Sequence, residues 1–301
     1  MAMPRSTAGL LLALLGVLGF SFSLPWTVWA LEGFDPFLTA TGRAVIAGVV
    51  AGVILLVRRV PLPDRALIRP LLYTMAGAVF GWPILIALAL QRTTAAHAAV
   101  IAAVMPLVTA VIAVLRTHEK VARQFWYAAA AGTAALIVFA LLRGGGTGGD
   151  PWADVLIAGA VVASSWCYVE GATLTKAMPG WQVISWVVVL ALPLTVPLSG
   201  WFILRGGVTT PVTVHAWIGL VMLGLVSMYF AFFAWYQGLA MAGVARGAQT
   251  QQLQAPLTLL WSALLLGETI TLATIAAALA VVACVAWAVR VRTPTVIAPE
   301  E

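Results

Sequence analysis

The chain has 301 residues, of which 62% are hydrophobic and only 9% are charged. Soluble domains carry roughly 25% charged residues, so this composition excludes a soluble multidomain enzyme and a disordered protein. The net charge of +6 comes from basic residues scattered singly between apolar runs, which argues against a nucleic-acid-binding surface. We therefore expect an all-α polytopic membrane protein.

Ten apolar runs approach the length of about 20 residues that a helix needs to cross a bilayer. The first run follows Arg5 and imitates a secretory signal. It exceeds the apolar core of about 7–15 residues typical of such signals, so we interpret it as a retained span. The predicted spans are Ala8–Trp29, Phe37–Val57, Pro70–Leu90, Ala95–Leu115, Phe125–Leu142, Trp152–Thr175, Trp181–Leu204, Val214–Tyr236, Val244–Leu266 and Leu272–Val291.

The basic residues predict an orientation for these ten spans. With the N-terminus on the inner side, 12 of the 16 Lys and Arg residues fall on that side and three on the other. One more, Arg43, lies within a span. Such an excess is typical of the cytoplasmic side, so we expect both termini in the cytoplasm and the protein in a bacterial-type inner membrane.

Two segments half a chain apart resemble each other and indicate an internal repeat. Pro106 is followed 13 residues later by Glu119, and Pro256 is followed 12 residues later by Glu268. We expect two five-helix halves, residues 1–147 and 148–301. Because five crossings is an odd number, the second half is expected to lie inverted in the bilayer, an arrangement typical of transporters.

These segments, with Thr41-Gly42-Arg43-Ala44 and the stretch 88–96, resemble the drug/metabolite transporter superfamily in its ten-helix EamA-type branch. Thr117-His118-Glu119 departs from the pattern, because members often have Leu-Gly-Glu there, and the last span lacks the usual early glycine. The resemblance implies a carrier of small metabolites without ATP-hydrolysing parts. Within the branch, the chain is most similar to bacterial exporters of aromatic and neutral amino acids.

Deep aromatic, hydroxyl and amide side chains are the candidates for contact with a substrate. An aromatic ring that faces a cavity can stack on a solute, and one that faces lipid or a neighbouring helix is packing. Amides near hydrocarbon need a partner or water, and they suit the ammonium and carboxylate of a zwitterion. The predicted substrate-binding residues are Ser21, Trp82, Ser165, Trp166, Tyr229, Gln249, Gln252 and Gln254, and Pro106 and Pro256 are the predicted hinges.

Three ionisable residues are weighed between coupling and structural roles. Arg43 either holds carbonyl groups of neighbouring helices or meets a substrate carboxylate. His97 is expected near the outer end of the fourth span, where it either titrates or keeps a structural hydrogen bond. Glu170 is expected at the inner end of the sixth span, either wetted at the interface or acting as a coupling carboxylate.

The sequence carries no P-loop lysine and no cluster of metal ligands, so neither ATP, a metal nor another cofactor is expected. The partners that we expect are the lipid bilayer and a small-molecule substrate. The favoured function is export of small neutral or aromatic amino acids, or similar amphipathic metabolites, by alternating access through a central cavity. An exporter of drugs or other metabolites, a lipid-modifying intramembrane enzyme and a non-transporting receptor remain alternatives, and the oligomeric state is open.

Overall fold

The computed structural model describes residues 4–90, 92–93, 101–119, 121–142, 150–209, 211–267 and 272–290. Within these ranges the chain forms ten helical passes, several of which contain a break or a change of helix type. The passes are α1 (Arg5–Leu31), α2 (Pro36–Val57), α3 (residues 65–90), α4 (Met105–Thr117), α5 (Arg123–Leu142), α6 (Pro151–Leu174), α7 (Gly180–Leu204), α8 (Val214–Ala242), α9 (residues 244–266) and α10 (Leu272–Arg290).

Judged by length and composition alone, five passes of the described chain are long and apolar enough to span a membrane: α1, α2, α6, α7 and α8. Helix starts are fixed by local chemistry. Asp35 accepts hydrogen bonds from the backbone N–H groups of Phe37 and Leu38, and Asp150 accepts one from Trp152. In each case a proline follows, which suits the first helical position because its missing N–H is not needed there.

Contacts between connections show that successive passes run in opposite directions. The backbone N–H of Asp35, before α2, donates to the carbonyl of Gly207, after α7, at 2.7 Å. Arg92, after α3, pairs with Asp150, before α6, at 3.0 Å. The ends of α1, α3 and α7 and the starts of α2 and α6 therefore share one side of the molecule, which we call the opposite face.

The other side carries the ends of the even-numbered passes, and we call it the basic face. The guanidinium of Arg58, after α2, lies 5.5 Å from the ring centre of Trp181, at the start of α7. The carboxylate of Glu119, after α4, accepts from the backbone N–H of Ala245, at the start of α9, at 3.1 Å. Since α1 starts at the basic face and α6 at the opposite face, the second half is inverted.

The packing of the helices keeps the same pattern when the two halves are exchanged. Helix α1 packs on α8 as α3 packs on α6, and α4 packs on α6 as α9 packs on α1. Helices α2 with α7, α4 with α9, and α5 with α10 form pairs across the pseudo-twofold axis. The ten-helix, two-repeat fold expected from the sequence is confirmed.

Glycines allow the closest of these crossings. A side chain at Gly9 would collide with the backbone of Ala242, at 2.6 Å from its nitrogen, where α1 crosses α8. At the related crossing, a side chain at Gly77 on α3 would collide with the carbonyl of Ala163 on α6. These glycines let the backbones approach closely, which maximises packing between apolar helices in a membrane.

Two repeat-related helices contain wide π-helical turns. One covers Ala76–Gly81 in α3 and the other covers Leu223–Phe230 in α8. Each begins beside a glycine, Gly77 and Gly224 respectively, and in each the glycine touches a neighbouring helix. The sequence analysis predicted neither, because a π turn has no residue pattern of its own.

Helices α4 and α9 are interrupted at matching places. In α4, residues 103–104 form a turn before the helix Met105–Thr117. In α9, the 3₁₀ segment Gln249–Leu253 precedes the helix Gln254–Leu266. Pro106 and Pro256 both lie in the first turn after the interruption, where a missing N–H leaves no intrahelical bond unmade. The structure places both predicted hinge residues at breaks, and their hinge role stays a prediction.

Candidate functional site

Arg43 carries a charge into the middle of the bundle. It lies seven residues into α2, or about 10 Å along the helix from the opposite face. One terminal nitrogen donates to the sulfur of Met228 on α8 at 3.4 Å, while Nε is enclosed and has no partner among the described residues. Other parts of the side chain stay accessible, since the residue as a whole is only half-buried.

The carboxylates of the described chain are engaged elsewhere. Among the described residues, Arg43 forms no ion pair. Three acidic side chains contact other elements: Glu32 bonds to Thr213, Glu119 to the start of α9 and Glu170 to Arg116. The others lie at or near helix starts: Asp35, Asp64, Asp150 and Asp154. A cation within a span is expensive unless a partner, water or a ligand reaches it, which makes Arg43 a candidate functional residue.

Tyr168 on α6 connects Arg43 to the broken helix α9. The Tyr168 hydroxyl accepts a hydrogen bond from the Gln251 side-chain amide at 3.3 Å. Its ring meets Trp235 edge to face at 5.3 Å, and the phenol lies close enough to Arg43 to interact electrostatically. Tyr168 therefore brings together side chains from α2, α6, α8 and α9, which belong to both halves.

Several polar atoms around Tyr168 are enclosed and unsatisfied. Three of them lie on side chains near Tyr168 and have no partner among the described residues: two donors, Nε of Arg43 and the indole N–H of Trp235, and one acceptor, the carbonyl oxygen of Gln251. Buried polar atoms in proteins are almost always hydrogen-bonded, so water or a ligand can supply the missing partners here. We call Arg43, Tyr168, Met228, Trp235 and Gln251 the Tyr168 cluster.

Phenylalanines extend the apolar side of this cluster. Phe232 lies 6.2 Å from the Tyr168 ring centre and 4.9 Å from that of Phe20 on α1, and Phe20 also contacts Trp235. The site therefore combines charged and polar atoms with aromatic rings, the composition expected for an amphipathic solute.

The other glutamines of α9 hold helices together. Gln249 donates to the carbonyl of Pro106 on α4 at 3.2 Å, and Gln252 donates to Gln249 at 2.8 Å. Gln252 also packs against Gly132 of α5, where a Cβ atom would collide with it. The 3₁₀ geometry places residues three apart above each other and turns Gln251 away toward Tyr168. Gln254 is half-buried.

The predicted serines and one tyrosine bind neighbouring helices. Ser165 accepts from Thr109 at 3.0 Å, and the hydroxyls of Tyr229 and Ser185 are 2.7 Å apart. Ser21 accepts from the indole N–H of Trp261 at 2.9 Å. All three predicted residues are buried.

The remaining predicted residues are dispersed. Trp82 is half-buried at the end of the π turn in α3, and Trp166 is 40% exposed on α6. Glu170 is buried rather than wetted, because Arg116 on α4 covers and pairs with its carboxylate at 2.7 Å. His97, like Glu268, lies outside the described residues.

The sequence analysis did not name Tyr168, Met228, Trp235 or Gln251 as candidate site residues. Tyr168 lies two residues after Trp166, and Trp235 six residues after Tyr229, so the Tyr168 cluster contains other aromatic residues of the same helices. A usable signal was the crossing glycine Gly16 in α1, whose missing side chain leaves room for Trp235.

Two inverted five-helix halves that meet at a buried polar cluster form an architecture typical of membrane transporters. The chain belongs to the EamA-like transporter family, whose sequence pattern matches residues 7–141 and again residues 151–290. This finding confirms the family resemblance drawn from the sequence.

A curated relative and a solved structure extend the comparison. The chain is 41% identical over 288 residues to a protein of Bacillus subtilis (strain 168) named "Uncharacterized transporter YdeK", covering 96% of this chain and 99% of that protein. A solved structure described as "Crystal structure of protein" aligns with a TM-score of 0.79 at 22% identity, over 96% of this chain and 100% of its own. The second likeness shows the shared fold.

Proposed function

We propose that this transporter is a secondary carrier that exports small neutral or aromatic amino acids, or amphipathic metabolites of similar size, across a bacterial inner membrane. Both termini would lie in the cytoplasm, in agreement with the excess of Lys and Arg on the basic face. The two halves would expose the Tyr168 cluster to each side in turn.

The Tyr168 cluster is the observation that supports this proposal most directly. It places unsatisfied donors and an unsatisfied acceptor beside aromatic rings, at the meeting point of both halves. A neutral amino acid offers the complementary groups on one small molecule: a carboxylate, an ammonium and an apolar side chain. An uncharged apolar solute would leave all three orphan atoms without partners.

Counterflow into liposomes tests the proposal. Purified protein is reconstituted alone, the vesicles are loaded with one unlabelled amino acid, and entry of its labelled form is followed with and without a pH gradient. We expect saturable entry of a neutral or aromatic amino acid and none into empty liposomes. Absence of flux across a broad amino-acid and metabolite panel, with folded protein, would contradict the proposal.

A matched pair of tyrosine variants locates the site. Tyr168→Phe removes the hydroxyl that Gln251 binds, so we expect the half-saturation concentration to rise about 5- to 10-fold. Tyr73→Phe is the control, because the Tyr73 hydroxyl is exposed on the basic-face half of α3 and binds only Arg69 among its described contacts. Equal effects from the two variants would place the substrate elsewhere.

A further inference from the structure

The charge of Arg43 lacks a counter-charge, and this carries an inference that rests on the proposed carrier function. A guanidinium stays protonated in proteins, so Arg43 cannot escape burial by losing its proton. A thioether is a weak acceptor, and Met228 therefore replaces little of the lost hydration. Among the described residues the guanidinium makes no other hydrogen bond, and in particular none to a helix carbonyl.

We propose that Arg43 is the anchor for the anionic group of the substrate, so that the carrier accepts only solutes bearing a carboxylate. Nε is enclosed in this structure, so the bundle must open before a carboxylate can reach it, and the guanidinium then offers two parallel donors, the bidentate geometry that arginine favours. The substrate thus supplies the charge that the empty site lacks.

The other end of the substrate meets a different group. The carbonyl oxygen of Gln251 is enclosed and accepts no hydrogen bond, while the amide nitrogen of the same side chain is bound to Tyr168 and Met105. The carbonyl oxygen is therefore an acceptor without a partner among the described residues, and such an acceptor suits an ammonium group. Arg43 is therefore assigned to every substrate, and Gln251 only to substrates that also carry an ammonium.

The fixed charge of Arg43 also predicts which solutes the site excludes. A solute that carries only an ammonium would bring a second positive charge beside Arg43 in a low-dielectric site, where like charges repel strongly. A solute with only a carboxylate would satisfy Arg43 and lose the contact with Gln251. The site should rank solutes in the order zwitterion, carboxylate, amine.

Three compounds with the same phenyl group test this order: L-phenylalanine, 3-phenylpropionate and 2-phenylethylamine. Binding is measured in detergent by the shift in unfolding temperature and by tryptophan fluorescence, and transport by counterflow. For the wild type we expect L-phenylalanine to bind best, 3-phenylpropionate about 10-fold more weakly, and 2-phenylethylamine not at all.

Variants separate the two ends of the ligand. Arg43→Gln should weaken both carboxylate-bearing compounds about 10- to 100-fold, and Gln251→Leu should weaken L-phenylalanine while leaving 3-phenylpropionate unchanged. Arg43→Lys keeps the positive charge but loses the planar pair of donors. The affinity of this variant for the carboxylate-bearing compounds should fall by less, and it should still require a carboxylate. Arg43→Lys still decides the matter if Arg43→Gln does not fold. Arg205→Gln, at an exposed arginine on the opposite face, is the matched control.

The outcomes separate this inference from the proposed function. Saturable amino-acid flux that Arg43→Gln leaves intact overturns the anchor and leaves the carrier proposal standing. Binding of 2-phenylethylamine as strong as that of 3-phenylpropionate also overturns the anchor. Binding of 3-phenylpropionate that depends on Arg43, without amino-acid flux, supports the anchor and overturns amino-acid export. Absence of binding by all three compounds to the wild type overturns both.

Discussion

Nε of Arg116 donates to the carboxylate of Glu170 at 2.7 Å, and this bond joins α4 of the first half to α6 of the second at the basic face. The carboxylate is buried, whereas the arginine side chain is 47% exposed. Glu170 lies two residues from Tyr168 along α6, on the basic-face side. The bond ties the two halves together at that face.

We expect Arg116→Gln to be the more harmful of the two single changes at this pair. It leaves a buried carboxylate without its partner and should lower the free energy of unfolding by about 1–3 kcal/mol, whereas Glu170→Gln leaves an exposed arginine and should have a smaller effect. Unfolding in detergent measures both variants. A double-mutant cycle that gives no coupling energy would show that the bond contributes nothing to stability.

Glu119 predicts a pH dependence of stability. Burial raises the pKa of its carboxyl above the ordinary 4.5, and the backbone N–H groups of Ala245 and Val244 oppose the rise. Because the folded state then binds the proton more tightly than the unfolded state, this contribution to stability is greatest below pH 4.5. It is lost as the pH rises through the folded pKa.

Glu119→Gln removes this titration while keeping an acceptor for the start of α9. The variant should therefore gain stability relative to the wild type as the pH rises above 4.5. Unfolding temperatures of both proteins in one detergent, scanned from about pH 4 to 8 across the expected transition, check this. A difference between the two that stays constant over the scan would contradict it.

Gly132 should not tolerate a side chain. A methyl group there collides with the end of the Gln252 side chain, which is buried and bound to Gln249. Gly132→Ala should therefore lower the free energy of unfolding by about 1–2 kcal/mol, because Gln252 must move and lose that bond.

A control variant and a rescue variant test whether the collision with Gln252 causes the loss of stability in Gly132→Ala. At Gly52 on α2 the nearest atom lies at 3.8 Å, so Gly52→Ala should be neutral or stabilising. Shortening Gln252 to serine in the Gly132→Ala background should recover part of the loss. If Gly132→Ala behaves like Gly52→Ala, the two helices are farther apart than the structure shows.

The ends of α4 and α9 provide a fourth prediction. Each is followed by a residue in the left-handed region: His118 with φ 55° and Gly267 with φ 70°. A left-handed backbone costs a residue with a side chain roughly 1 kcal/mol. His118→Gly should therefore stabilise by about 0.5–1 kcal/mol, and Gly267→Ala should destabilise by a similar amount. Chemical denaturation measures the free energy of unfolding of both variants. A change of the same sign in both would contradict the left-handed backbone at these two positions.

The membrane passes could be predicted from the sequence because their signals are local. Runs of apolar residues give their number, Asp35-Pro36 and Asp150-Pro151 mark helix starts, and the two prolines reveal the repeat. The Tyr168 cluster could not be predicted in the same way. Orphaned atoms on Arg43, Trp235 and Gln251 become visible only when residues far apart in sequence are placed together.

Two contacts could not be read from the local sequence. The sequence analysis proposed Gln249, Gln252 and Gln254 for substrate binding, and the structure bonds Gln252 to Gln249 and turns Gln251 to Tyr168. The sequence left Glu170 either wetted at the interface or acting as a coupling carboxylate, and the structure places it in a buried pair with Arg116. Both contacts join residues that are far apart in the sequence or depend on the 3₁₀ segment.

The wide turns of α3 and α8 give each half a place where the regular hydrogen-bond ladder of the helix is interrupted. Such turns are frequent at functional sites, and the turn in α8 contains Met228, whose sulfur accepts from Arg43. Since Ala76–Gly81 and Leu223–Phe230 occupy repeat-related positions, we expect any change of access to alter both turns while the rest of each helix stays intact.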